Sequence, residues 1–378
     1  MPAPLKYSNV NWVNGMKIKK DHFIQQENAF EDKIKDSSAC FLNSFYYGLL
    51  PIWGSKGTSF KVDFKINNQK FLNISASQLR ALTQGGARIE ILESGNPVQF
   101  SVDMTSEIEV SKKEDNRVYL IMLTVDQFSK EPFGELETDE DPPRYPFAKP
   151  SFKVNLIQEN QVSREGILPF SLFIGKIFIK PDRIELSEEY IPPCMTLKSH
   201  QRLISFHSSV EKFYNQLELN LLSIIRKIRE KGQDSTLAVS VQALAQNILN
   251  FITTNNLKIR WQLIDQPPLY LFENIASFAR IIRNTIDCNT AAQKEELLNY
   301  FTTWSELKQG DFEKLLVYCI NFEYDHNEIS NNIDQFSEFV QLMTSLFTKL
   351  ESLAYIGKKK ETSIFVKEQT SKRSFLAD

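Results

Sequence analysis

Cysteine, histidine and glycine are all scarce in this chain, and their scarcity excludes whole classes of chemistry. Four cysteines occur in 378 residues, at positions 40, 194, 288 and 319. No two stand at C-x-x-C spacing, which argues against zinc-ribbon and thioredoxin-type motifs, so the thiols are expected to be free. Of the four histidines, His200 and His207 lie seven apart on a helical pattern. Metal-binding pairs on a helix usually stand three or four apart, so no metal site is expected. The 13 glycines form no phosphate-binding loop, dinucleotide fingerprint or nucleophile elbow, and Gly85-Gly86 reads only as a turn. Carboxylates are common, yet no spacing selects a catalytic pair, so neither an enzyme nor a cofactor is indicated. Charge of one sign is missing too. A net charge of -3 lacks the basic footprint of a nucleic-acid binder. No apolar run approaches the length of a membrane span, and Met1 to Tyr7 lack the apolar stretch of a signal peptide.

Phenylalanine, by contrast, is plentiful, with 28 copies that suit packed sheets and helices. At this length two or three domains are expected. A helix is expected over 25–44, with Phe23, Ala29, Phe30, Ile34 and Phe41 forming a stripe. Residues 46–53 read as a strand broken by Pro51. Alternation then predicts strands at 60–66, 70–74, 88–92, 98–103, 108–110, 118–124, 152–158, 171–179 and 182–185. Ser75 to Leu82 reads as a short capped helix closed by Gly85-Gly86. Residues 128–150 read as a loop. Its acidic run from Glu135 to Asp141 is expected to be a solvated surface rather than a metal site. Short strands at this spacing indicate a β-sandwich or barrel.

Pro192-Pro193 forbids helix interior and central strand alike, and marks a boundary. Beyond it the period is helical. Stripes run from Leu203 to Ile228, over 236–254, from Pro267-Pro268 through Ile282, over 291–307, and over 327–353. The fold class is therefore an N-terminal all-β sandwich followed by an α-helical bundle. The division expected is a shell over 1–194, a bundle over 195–356, and a polar tail over 357–378. Within that tail, Ile364-Phe365-Val366 or Phe375-Leu376 could anchor a docking peptide. The stripes suit an antiparallel bundle, and the longest imply either partial exposure or packing in dimers or trimers along its axis.

One early stretch is unusually dense in rare residues. Trp12, Gly15, Met16, His22, Phe23, Gln25 and Gln26 spell Trp-x-x-Gly-Met-x-Ile-x-x-x-His-Phe-x-Gln-Gln. This resembles the N-terminal signature of the TssK family, baseplate subunits of bacterial type VI secretion systems. Asn14 replaces an acidic residue there, and Lys20-Asp21 replaces Pro-Gln. Three further stretches follow in the family's order: Tyr47-Gly48-Leu49, Tyr190-Ile191-Pro192-Pro193, and Tyr324-Asp325-His326-Asn327. Read by themselves, Trp12, Met16 and Phe23 are core or interface anchors. Gly15 supplies a positive φ or a close approach. His22 is a hydrogen-bonded structural residue, Gln25 and Gln26 are helix-surface residues or partner contacts, and Asp325 caps the last helix.

The resemblance implies a non-enzymatic homotrimer. Its shell, similar to the shoulder of phage receptor-binding proteins, would dock on the wedge proteins TssF and TssG. It would sit at the cytoplasmic face of the inner membrane, joined to membrane-side components of unknown identity, with no nucleic acid or small-molecule substrate. Typical members carry a C-terminal head. After Tyr355 only a short stretch follows here, so the expectation is a member without that head. The alternatives are a phage-tail-like receptor- or glycan-binding protein, or a carbohydrate-active enzyme on a β-sandwich, to which no residue pattern points.

Overall fold

Period-two and period-3.6 segments are segregated along the chain, and they fold into two antiparallel sheets followed by a helical region. The computed structural model describes residues 4–357 apart from 53, 55–56, 93–96, 112–116, 163–168, 181–182 and 305–308. Trp53, Asp182, Leu307 and the tail anchors at 364–366 and 375–376 therefore lie outside the described residues.

The chain opens with an extended stretch and a helix, α1 (Lys20–Ala39). The first sheet holds β1 (Gly48–Leu49), β2 (Phe60–Ile66), β3 (Phe71–Leu82), β4 (Arg88–Ile91) and β5 (Val98–Asp103). Every other strand pairs with β3, the spine of this sheet. The second sheet, in the order β7-β6-β8-β9, holds β6 (Arg117–Phe133), β7 (Phe147–Gln158), β8 (Ser171–Ile179) and β9 (Ile184–Leu186). The sheets face each other. Phe64 of β2 reaches Gly175 of β8 so closely that a Cβ there would stand 3.1 Å from its ring.

Three expectations are corrected here. Residues 75–82 are strand, not helix. A bulge places Lys61 opposite Gln78 and Val62 opposite Ala76, which leaves Ser77 as the extra residue. The buried positions thus run Leu72, Ile74, Ala76, Leu79, Ala81, and the step of three imitates a helical period. Residues 108–110 belong to a helix, α2 (Thr105–Ser111), rather than a strand. The Asp103 carboxylate accepts from the Thr105 amide at 2.9 Å and hydroxyl at 2.6 Å, turning the chain into that helix. Residues 128–133 and 147–150 are strand rather than loop, while 134–146 keep to the loop expected. The β6–β7 pairing resumes after a break at Asp126 and continues from Lys130↔Pro150 to Phe133↔Phe147.

Six helices follow among the described residues: α3 (Gln201–Glu230), α4 (Thr236–Trp261), α5 (Pro268–Asp287), α6 (Ala291–Trp304), α7 (Gln309–Ile320) and α8 (Ile329–Ser352). Their starts follow local chemistry. The His200 ring accepts from the Arg202 amide, Ser235 accepts from the Ala238 amide, and Pro268 occupies the first turn of α5. The sequence reading missed α7, although Phe312, Leu316 and Cys319 carry its buried face at helical spacing. It also ended α4 early, before the last turn, where Lys258 and Arg260 favour the helix C-terminus. Aromatic packing fills the centre, with Phe272 stacked on Phe336 at 5.3 Å and Phe278 edge-on to Phe213 at 5.6 Å. One continuous buried cluster runs from the sheets into the helices. No helix of the described residues is long and apolar enough to cross a membrane.

Candidate functional site

Two places gather the residues singled out in the sequence. The first is the N-terminal module. Residues 4–13 run extended alongside α1, and polar side chains of the helix hold them there. The Asp32 carboxylate accepts from the amides of Lys6 and Tyr7. Gln26 accepts from the Val10 amide at 3.1 Å, and Gln25 donates to the Ser8 carbonyl at 3.3 Å. The glutamine pair is thus used within the chain. Burial alone would push the Asp32 carboxyl up, but the two amides and the Lys35 ammonium outweigh it and hold it below the ordinary carboxylate value.

Gly15 takes a φ of +80° at the turn before α1, and nothing crowds it, so conformation rather than close approach explains the residue. The Lys19 amide donates to His22 Nδ1 at 3.3 Å, which gives the half-buried His22 a structural bond at the helix start. Trp12 lies edge-on to His22 and tilted against Phe23, each at 6.1 Å between ring centroids.

The orientation of α1 is the unexpected feature. Its buried residues are Asn28, Ala29, Asp32 and Lys35. Phe23 is 59% exposed, Ile34 66%, and Phe41, just past the helix, 81%; Trp12 and Phe30 are exposed too. Trp12 and Phe23 are therefore not core anchors. Polar partners explain the buried side. Lys35 pairs with Asp32 at 3.4 Å and lies 4.0 Å from the Phe128 ring centroid and 4.7 Å from that of Phe170. Lys130 of β6 pairs with Glu27 at 2.7 Å and Glu31 at 2.9 Å. Gly86, at φ +82°, lets the helix backbone settle so close that a Cβ would stand 2.7 Å from the Lys35 carbonyl.

The second place is the joint between sheets and helices. Leu49 donates to the Pro193 carbonyl at 2.7 Å and accepts from Met195 at 2.9 Å. Pro192 and Pro193 are both buried. Gly48 has a φ of +108°, and a Cβ on it would fall 2.1 Å from the Pro193 carbonyl oxygen, so no other residue fits. His326 is buried against the same strand. Its Nε2 lies 3.0 Å from the Tyr47 carbonyl and its Nδ1 2.5 Å from the Tyr324 hydroxyl. A carbonyl only accepts, so Nε2 carries the proton and Nδ1 accepts from Tyr324. Burial pushes the His326 pKa down to about 4 and keeps the ring neutral.

The Tyr47 hydroxyl donates to Asn327 at 3.1 Å, and Asp325 accepts from the Asn327 amide at 2.9 Å. Asp325 thus braces the turn before α8 rather than capping the helix itself. Ser330 receives the Ile191 amide at 3.1 Å, and Lys176 of β8 bridges Glu159 at 2.7 Å and Glu328 at 2.8 Å. Sequence reasoning flagged Tyr324, Asp325 and His326 but missed Lys176, Glu328 and Ser330, which carry no local pattern. His207, away from this joint, is held by the Ile259 carbonyl at 2.8 Å. Among the described residues, no group of three or more His, Cys, Asp or Glu side chains is placed to hold a metal. What the joint can do is mechanical: it fixes the helices on the sheets.

No protein-family model and no curated protein sequence matches the chain. Solved structures do. A chain in the baseplate complex from the type VI secretion system is 13% identical, with a TM-score of 0.50 over 90% of this chain and 99% of that one. A chain in the TssK-TssF-TssG baseplate subcomplex is 14% identical, with a TM-score of 0.45 over 91% and 100%. A crystal structure of TssK is also 14% identical, with a TM-score of 0.45 over 91% and 69%. Across about nine-tenths of its length, this chain is structurally similar to TssK baseplate proteins of the type VI secretion system, at an identity where the likeness is one of fold.

Proposed function

We propose that this chain is a non-enzymatic structural subunit of a type VI secretion baseplate. It works as a homotrimer that joins wedge proteins of the TssF and TssG kind to membrane-side components. It sits in the cytoplasm, at the inner face of the membrane, through the assembled baseplate. The sheets, over 1–194, form the docking shell, and the helices, over 195–356, form the body that the joint holds in register.

The observation that carries this reading is the inversion of α1. The polar residues Gln25 and Gln26 of the N-terminal signature are used inside the chain, while its Trp12 and Phe23, with Phe30 and Ile34 of α1, stay bare. Contiguous exposed apolar side chains mark a surface that another protein covers. The likeness of fold to a chain in the type VI baseplate complex supports reading that surface as an assembly contact. Avidity from three repeated weak contacts is the mechanism.

The test is light scattering coupled to size exclusion, followed by capture of co-expressed wedge proteins. The expected mass is three times the 43.7 kDa of the chain. A strict monomer at micromolar concentration, or a trimer that ignores the wedge proteins, would sink the proposal.

A further inference from the structure

Two exposed surfaces of opposite charge stand on this chain. The first is the outer half of the β6–β7 hairpin. From 131 to 148 every residue is exposed except the half-buried Glu137 and Pro146, so this arm has no core of its own. It remains ordered by pairing as far as a bridge between Glu137 and Arg144. The seven residue steps from Lys130 to Glu137 give it a reach of about 23 Å. Arg144 braces the tip through Glu137 and Glu140. Phe133 and Phe147 lie 5.7 Å apart on it, and Phe147 is 61% exposed, with Leu136 and Tyr145 bare nearby. Residues 131–147 carry six carboxylates against the single guanidinium of Arg144, a net -5. A two-stranded ribbon with bare aromatic rings gains little stability in water alone.

The second surface is the turn that leads into α1. Lys17, Lys19 and Lys20 are exposed there and form no ion pair among the described residues. Val13, Trp12 and Ile18, the last 60% exposed, accompany them. Among the described residues, no hydrogen bond, ion pair or ring contact joins the arm to the turn of its own chain.

We propose that the acidic arm of one copy docks on the basic turn of a second copy. Each surface pairs apolar side chains with charge, and the signs are opposite, so one chain carries both halves of a contact. The contact is heterologous: the two surfaces differ, and rotation repeats it until a ring closes. That the ring holds three copies rests on the trimer proposed above. Charge steers and registers the arm, while Phe133, Phe147 and Leu136 against Val13 and Ile18 exclude water.

The experiment follows the assembly of the full chain by light scattering across a dilution series at low and high salt. One variant carries Glu135→Lys with Asp139→Lys, which spares the carboxylates that brace Arg144. A second carries Lys17→Glu with Lys19→Glu, and a third combines all four. Each charge reversal is expected to raise the dissociation midpoint about tenfold or more, with unchanged thermal melting, and the combined chain is expected to recover. If the single reversals leave the midpoint unmoved, or the combined chain loses more than either, the inference falls while the trimer stands. A reversal that keeps the trimer and weakens wedge capture gives the arm to a foreign partner and overturns it as well. If the unaltered chain is a monomer, the trimer reading fails first.

Discussion

Gly48 and His326 show how single residues fix the joint. The backbone at Gly48 is left-handed and its missing side chain makes room for Pro193. Gly48→Ala therefore adds both strain and a backbone collision, and is expected to cost about 3 kcal/mol or more, read as a fall in the urea midpoint. For His326 the sign of the pH dependence follows from its neutral form. Its pKa is 6.5 when unconstrained and about 4 in the fold, because burial disfavours the charged ring. Acid protonates the unfolded chain first. Its contribution is thus full above pH 6.5, declines as pH falls towards 4, and amounts to a loss on the order of 3 kcal/mol at the end of that window. His200, held down to about 4 by burial and by Arg202, acts in the same direction. Urea midpoints between pH 7.5 and 4.5 measure this slope. His326→Gln, which keeps one donor and one acceptor, should lessen it and leave the part that His200 contributes, and an unchanged slope would assign the loss to other groups.

Among the elements, α1 departs furthest from the ordinary rule that a helix buries its apolar stripe. Its periodicity was legible, and its direction was not. Of the stripe, Phe23, Phe30, Ile34 and Phe41 turn outward and only Ala29 stays inside, because Asp32, Lys35 and Glu31 find charged and backbone partners on the inner side. Such a face carries no folding energy until it is covered. Phe30→Ser with Ile34→Ser is expected to leave stability within about 0.5 kcal/mol by chemical denaturation and to lower capture of wedge proteins. A large drop in the melting temperature would instead make the stripe part of this chain's own core. The β3 bulge and the hairpin teach the same lesson. One extra residue at Ser77 shifts the apparent period, and the pairing of Lys130 with Pro150 lies beyond what alternation displays.

At the scale of the whole molecule, the buried cluster is continuous from the sheets through Ile191 and Cys194 into α3, α5 and α8. Sheets and helices should accordingly unfold together. Fluorescence of single-tryptophan chains that keep either Trp12 beside the shell or Trp304 in the bundle is expected to follow the same denaturation curve as far-ultraviolet circular dichroism. Two separated transitions would show that the joint is weaker than its packing suggests. The proposed trimer, tested by light scattering, belongs to this scale too, since symmetry would multiply a weak contact on each copy.

The sequence by itself determined the order and kind of most elements: a helical period at α1, mainly period two from there to Pro192-Pro193, period 3.6 after it, and helix starts where Ser235 and Pro268 stand. It also displayed the four signature stretches, because each is a run of neighbouring residues. Tertiary structure alone decided that three of them meet. Tyr47 and His326 are 279 positions apart, yet share a hydrogen bond. It also decided which side of α1 faces out. Local periodicity reports how side chains repeat around an axis. The partners that settle the facing of that axis, such as Phe128 for Lys35 and Pro193 for Gly48, lie far along the chain and are brought close only by folding.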